Sequence, residues 1–362
     1  MDKKLKVGVI GATGVVGQNY LKLLKNHPWF DVVYLAASPQ SAGKKYRDAV
    51  AGRWHMNEAI PAAYRDIVVD DAGDVSQAVG RCRLVFSAVE MDKKAIMALE
   101  EEYASRGFAV VSNNSAHRHT PDVPVMVPEI NHDHLDIIPV QQRQRGWKQG
   151  FLVVKPNCSI QSYMLPLYAL IQAGYPVDSM IVATLQAVSG AGYPGPASID
   201  LIDNVLPYIP GEEEKSEVEP AKILGRLEGG RVIPDESIKI SAHCNRVAVS
   251  DGHNACCSIR FTGKKPETDE VIRIWRDFSS LPQELKLPSA PVPLIIYRDE
   301  PDRPQPRQDR DAGNGMAVTV GRLRPCNVFD IRFVGLHHNT VRGAAGGSIL
   351  TAELLVAKGY VK

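Results

Sequence analysis

The sequence contains no apolar run long enough to cross a bilayer, which takes about 20 predominantly apolar residues. Its opening, Met1-Asp2-Lys3-Lys4-Leu5, leads straight into a predicted strand and leaves no room for a secretory signal, so a cytoplasmic location is expected. Neither CxxC nor HExxH occurs, and no metal site is expected. The cysteines, Cys82, Cys158, Cys244, Cys256, Cys257 and Cys326, lack a framework spacing, and the adjacent pair would point to opposite faces of a strand. Reduced thiols fit this pattern better than disulfides. The formal net charge is only +1, so no broad field favours nucleic acid or an anionic membrane. Internal repeats and low-complexity segments are also absent.

What is present suits an ordinary globular protein. A chain of 362 residues suggests two domains with ample core. Its centre is Lys155-Pro156-Asn157-Cys158-Ser159. The apolar run at 151–155 reads as a strand, and Pro156 breaks it because proline donates no ladder hydrogen bond. A helix is predicted over 160–170, which would put Cys158 at or near a helix N-terminus. There the helix dipole and free N–H groups would lower a thiol pKa and could hold an oxyanion. The competing reading is a buried cysteine acting as a small hydrophobe.

The N-terminal part has the rhythm of strands alternating with helices. A strand at 6–10 runs into Gly11-Ala12-Thr13-Gly14-Val15-Val16-Gly17 and a helix from Gln18 to Leu24. Strand, glycine turn and helix are the context of a dinucleotide site, although the spacing is GxxGxxG rather than GxGxxG. The second strand, 31–37, ends without a carboxylate in Ser38-Pro39-Gln40-Ser41-Ala42-Gly43-Lys44-Lys45. A 2′-hydroxyl site would place Asp or Glu there, so hydroxyls and lysines favour a 2′-phosphate and hence NADP. Further strands are predicted at 84–88, ending near Ser87, and at 108–112, with a helix over 91–106 between them. The pattern predicts an α/β fold with a parallel sheet covered on both faces. Arg118 follows a strand end, where ligands of open sheets bind.

Beyond Cys158 the pattern changes. A strand is predicted over 180–188, followed by a flexible glycine-rich loop at 189–196 and a short helix at 199–206. The charged run Glu212-Glu213-Glu214-Lys215 reads as solvated surface. Segments 238–249 and 253–261 read as adjacent strands joined by Ser250-Asp251-Gly252, with Arg246 and His253 flanking the turn. Residues 301–311 read as an ordered loop, 316–323 and 328–336 as strands, and 348–358 as a C-terminal helix.

Together these stretches resemble the aspartate-β-semialdehyde dehydrogenase family, in its archaeal and fungal-type branch. The resemblance runs through Gly11–Gly17, Pro128-Glu129-Ile130-Asn131, Pro156–Ser159, residues 186–192, 211–215 and 241–253, Gly313-Asn314-Gly315-Met316, and His338-Asn339-Thr340-Val341-Arg342. It implies a Rossmann domain over 1–155, completed by a C-terminal helix in 340–362, and an α+β catalytic and dimerisation domain over 156–339 with a mixed sheet. It implies interconversion of L-aspartate 4-semialdehyde, NADP⁺ and phosphate with 4-phospho-L-aspartate and NADPH, in a homodimer or homotetramer. Cys158 would be the nucleophile, His253 the general acid and base, and Gln186 the residue that orients the acyl group. Arg246 would grip the substrate carboxylate and Glu212 the amino group, with Arg118, Lys215 and Asn157 on phosphate. Gly11, Thr13, Gly14, Val15, Val16, Gly17, Ser38, Ser41, Ser87, Ser189, Gly190 and Asn339 would contact NADP. The family often has Ser-Arg where this chain has Pro39-Gln40, and proline where it has Ala248. Malonyl-CoA reductase and N-acetyl-glutamyl-phosphate reductase share the chemistry. A cofactor-free cysteine hydrolase and an NADP-sensing module without turnover are the readings from other classes.

Overall fold

Near-continuous apolar segments build the first sheet of the computed structural model, which describes residues 4–362. Its strands are β1 (Leu5–Ile10), β2 (Phe30–Ala37), β3 (Asp70–Asp71), β4 (Leu84–Ser87), β5 (Ala109–Ser112) and β6 (Phe151–Val154). All pair in parallel, in the order β3-β2-β1-β4-β5-β6. The period-2 alternation of strand side chains divides these residues between two cores. Leu84 and Phe86 pack with helix Val15–Leu24 and the C-terminal helix Gly346–Ala357 on one face. Val85 packs with helix Lys93–Ser105 on the other. The expected sheet with helices on both faces is present, and the C-terminal helix returns to complete it. Strand order reverses between β1 and β4, so a crevice opens at their carboxyl ends, where ligands of such sheets bind.

The second sheet comes from β7 (Val177–Gln186), β10 (Lys239–Arg246), β11 (His253–Phe261), β12 (Ile295–Arg298), β13 (Val318–Pro325) and β14 (Ile331–His337); β8 (Arg226–Glu228) and β9 (Arg231–Ile233) form a separate hairpin. Its order is β10-β7-β11-β14-β13-β12, with parallel and antiparallel pairs mixed. Helices Gln161–Gln172 and Thr268–Asp277 pack on one face, where Trp275 donates from Nε1 to the Pro166 carbonyl at 3.0 Å. The opposite face is open, with Ile181, Leu185 and Cys256 exposed.

One expectation from the sequence is corrected here. Strands β10 and β11 are not neighbours, because β7 lies between them, parallel to β10 and antiparallel to β11. Residues 247–252 therefore cross the end of β7 instead of forming a hairpin turn. Several smaller expectations also change. The glycine-rich loop after β7 starts with an ordered turn, Val188–Ala191, tied to the crossing segment by Val188 N–H donating to Val249 at 2.8 Å. Helix after that loop is confined to Ser198–Leu201. Segment 301–311 is held by the buried Asp309, which accepts from Arg298, Arg303 and the Gln305 N–H.

The charged run at 212–215 opens helix Glu212–Ile223, which lies along the free edge of β10. Cys244 N–H donates to Glu213 at 3.1 Å and Ala242 N–H to Glu217 at 3.0 Å. Edge donors that would otherwise invite another strand are thus covered.

Candidate active site

Placing β7 between β10 and β11 brings three site residues to one end of the sheet. Arg246 pairs in register with Gln186, and His253 follows at the start of β11 beside them. Cys158 faces this group from the loop between β6 and helix Gln161–Gln172, with Sγ 3.6 Å from His253 Nε2. His253 is fully buried, and its Nδ1 accepts from the Ala187 N–H at 3.0 Å. Nη1 of Arg246 donates to the Ala187 carbonyl at 2.8 Å. Gly190 touches both: a Cβ built on it would lie 2.9 Å from Arg246 Nη1 and 3.2 Å from His253 Nε2.

Helix Glu212–Ile223 supplies a second wall. Glu212 accepts from Asn157 Nδ2 at 2.9 Å, from Lys215 Nζ at 2.9 Å and from Gln186 Nε2 at 3.3 Å. Burial raises the Glu212 pKa, but Lys215, Asn157 and Gln186 outweigh it and hold the carboxyl below its ordinary value. Reading 212–215 as solvated surface therefore fails for Glu212, which is 8 % exposed. Glu219, which the sequence reading missed, binds Arg118 Nη1 at 2.9 Å and the Asn157 N–H at 2.5 Å. Its position seven residues after Glu212 puts it on the same helix face, which is the signal that could have found it.

The expected lowering of the Cys158 pKa is not found. The helix begins only at Gln161, and burial together with Glu212 pushes the thiol up against Lys155, Arg118 and Arg246. Burial and Arg246 hold His253 down to about 3. The resting pair is a neutral thiol beside a neutral imidazole.

The glycine turn fits a dinucleotide phosphate. Gly11 has φ +81, and a Cβ there would lie 2.3 Å from the Ala88 carbonyl oxygen. A Cβ on Gly17 would lie 2.2 Å from the Gly11 oxygen, so helix and strand approach as closely as backbone allows. Thr13, Gly14, Val15 and Val16 lead into the helix start. A cleft of about 390 Å³ runs from Val15 and Asn19 past His55 to Ser189 and Thr340, joining this turn to the second sheet. Asn339 donates to Ser189 Oγ at 2.8 Å and accepts from the Gly252 N–H at 2.8 Å. Ser38 is exposed beyond β2, but Ser41 is buried. Ser87 Oγ donates to Glu100 at 2.6 Å, beside Ser112 and Asn114. Ser41 and Ser87 are 1 % and 0 % exposed. Among the described residues no cluster of His, Cys, Asp or Glu could hold a metal, and no helix is long and apolar enough to cross a membrane.

Two family models match, a semialdehyde dehydrogenase NAD-binding domain over residues 6–138 and a semialdehyde dehydrogenase dimerisation domain over 167–342. Aspartate-semialdehyde dehydrogenase of Aspergillus fumigatus is 46% identical over 99% of both chains. That of Archaeoglobus fulgidus is 45% identical over 98% of both. A crystal structure of the Candida albicans enzyme with NADP is 40% identical, with TM-score 0.89 over 99% of this chain and 100% of that one. With Cys158 and His253 adjacent at the head of a Rossmann crevice, and with relatives this close over the whole length, the chain belongs to the aspartate-semialdehyde dehydrogenase family.

Proposed function

We propose that Cys158 is the nucleophile and His253 the proton-transfer group of the family's reaction, the interconversion of 4-phospho-L-aspartate and NADPH with L-aspartate 4-semialdehyde, NADP⁺ and phosphate. In the reductive direction this feeds lysine, threonine, methionine and isoleucine synthesis. The observation that carries the assignment is the 3.6 Å approach of sulfur to imidazole beside Gln186 and Arg246.

Cys158 sulfur attacks the acyl carbon, the S–H bond and the C–O bond to phosphate break, and a thioester forms while the thiol proton leaves with the phosphate. The glycine turn with Ser189, Gly190 and Asn339 would hold NADP, which when bound would supply the hydride chemistry. His253 donates the proton of Nε2 to the developing oxygen and takes it back when the C–S bond breaks to release aldehyde. Gln186, fixed by Thr184 and Glu212, orients the acyl oxygen. Arg246 presents its planar fork to the α-carboxylate. Glu212 meets the amino group, and Arg118, Lys215 and Asn157 line the phosphate position. The pairing of the buried Glu212 with the half-buried Lys215 supports an amino-bearing substrate over a CoA thioester. The missing family arginine at Gln40 has a substitute, since Lys44 Nζ rests on the Gln40 carbonyl at 2.8 Å beside the loop after β2.

The same reading divides the chain at 155/156, with 340–362 returning to the first domain. It pairs two copies through the open face around Ile181 and Leu185, and it keeps the enzyme in the cytoplasm. The test is NADP⁺ reduction with aspartate semialdehyde, with and without phosphate. Phosphate-dependent NADPH formation is expected; equal rates without phosphate refute an acyl-phosphate enzyme.

A further inference from the structure

Helix Lys93–Ser105 carries one carboxyl that no role above uses. Glu100 is 0 % exposed, whereas Glu102 on the same helix is exposed. Its Oε1 accepts from three donors: Ser87 Oγ at the end of β4 at 2.6 Å, Ser112 Oγ at the end of β5 at 2.7 Å, and Asn114 Nδ2 at 2.9 Å. Ser87 and Ser112 are register partners on adjacent parallel strands, at the carboxyl ends where ligands of open sheets bind.

The other oxygen faces the far end of the turn that follows β5. Oε2 of Glu100 is buried without a hydrogen-bond partner, and so is His117 Nε2, 3.9 Å away. Burial holds the His117 imidazole below its ordinary pKa, so at neutral pH an uncharged ring leans on the carboxyl. Asn114 at the start of the turn and His117 at its close thus both rest on one side chain. Between them the backbone is fixed as well. Asn113 N–H donates to the Ser87 carbonyl at 2.9 Å, Asn114 N–H to Ser112 Oγ at 3.0 Å, and Arg118 N–H to the Ser115 carbonyl at 3.2 Å.

This turn delivers Arg118. Its Nε donates to the Lys155 carbonyl at 3.0 Å, Nη1 to Glu219 at 2.9 Å and Nη2 to the Asn113 carbonyl at 3.4 Å. A guanidinium has five N–H groups in a rigid fork, so those left over on the two Nη atoms are free to meet an anion together. Their direction depends on where Asn113 and the Arg118 backbone stand.

We infer that Glu100 is the positioning residue of the phosphate subsite, clamping turn 113–118 to the ends of β4 and β5 so that the Arg118 fork faces phosphate. An apolar side chain at this position would strand two hydroxyls and an amide in a dry interior, and the turn would move to find them partners. Glutamine would keep one acceptor oxygen for the same three donors.

The clamp rests on the phosphate role proposed for Arg118, which a raised KM for phosphate in Arg118→Lys tests separately. Phosphate is varied in the NADP⁺-reduction assay with wild type, Glu100→Leu, Glu100→Gln and Asn114→Ala, and calorimetric NADP binding reports whether each variant is folded. Glu100→Leu should raise the KM for phosphate at least about tenfold, the worth of one charge-assisted hydrogen bond. Its kcat, its KM for semialdehyde and its NADP affinity should stay within about threefold, because only phosphate binding is lost. Glu100→Gln should stay within about threefold in all four. An unchanged KM for phosphate in Glu100→Leu, an equal rise for semialdehyde, or an equal loss in Glu100→Gln overturns the clamp. If Glu100→Leu does not bind NADP, Asn114→Ala decides: a KM for phosphate raised at least about threefold supports the clamp, and an unchanged one overturns it. An unchanged KM for phosphate in Arg118→Lys sinks the phosphate role and the clamp together, whereas a raised one there beside an unchanged one in Glu100→Leu sinks the clamp alone.

Discussion

Gly190→Ala should damage catalysis while leaving the fold intact. Gly190 is exposed in the turn after β7, and its backbone lies outside the left-handed region, so alanine is tolerated conformationally. The added methyl would point into the site, 2.9 Å from Arg246 Nη1 and 3.2 Å from Cε1 and Nε2 of His253. Reaching ordinary contact at 3.4 Å requires the guanidinium to retreat by about 0.5 Å and the imidazole by about 0.2 Å. Arg246 is anchored on the Ala187 carbonyl and His253 on the Ala187 N–H, so both anchors are strained together. A misplacement of about 1 Å costs roughly 10²-fold. Shifts of a few tenths at two groups should therefore lower kcat/KM by about 10- to 100-fold. The loss should be split between KM, through the carboxylate grip, and kcat, through proton transfer. Tm should stay level or rise slightly, because alanine also restricts the unfolded chain. Steady-state kinetics and a thermal melt on one preparation suffice. A kcat/KM within twofold of wild type would show that neither side chain is held as described.

Cys158→Ala should abolish turnover, whereas His253→Gln should leave an enzyme about 10²- to 10⁴-fold slower that is still acylated by substrate, as intact-mass spectrometry would show. Glu219→Ala strands Arg118 in a buried position and should cost about 3–5 kcal/mol in urea unfolding while raising the KM for phosphate; an unmoved urea midpoint would contradict this. For His253, folding favours the neutral ring, since its pKa falls from 6.5 to about 3 on burial. That stability is present above pH 6.5 and is lost as pH falls toward 3, so Tm should fall with acid in wild type and less steeply in His253→Gln.

The Rossmann half was legible because its strands are buried on both faces and read as unbroken apolar runs between glycine turns. The second sheet was legible strand by strand but not in its order. Segments 238–249 and 253–261 are separated by a short polar turn, which locally is the signature of a hairpin. Only the demand of β7 for partners on both sides overrides that signature, and such a demand is tertiary. Cys158 and His253 could be named because their chemistry is distinctive. Glu219 and Glu100 were passed over because charged residues read as surface until a partner is seen. The direction of the Cys158 pKa was misjudged for a related reason. Dipole arguments depend on where a helix starts, while burial depends on everything packed around the thiol.

The helix beginning at Glu212 also links activity to solubility. One face delivers Glu212 and Glu219 to the chemistry, and another stoppers the outermost strand with Glu213 and Glu217. A lesion that lifts this helix would therefore switch off turnover and unmask a sticky ladder of amides in the same event. Inactive variants mapping there should be collected as precipitate, whereas equally inactive ones at Gly190 or His253 should remain in solution.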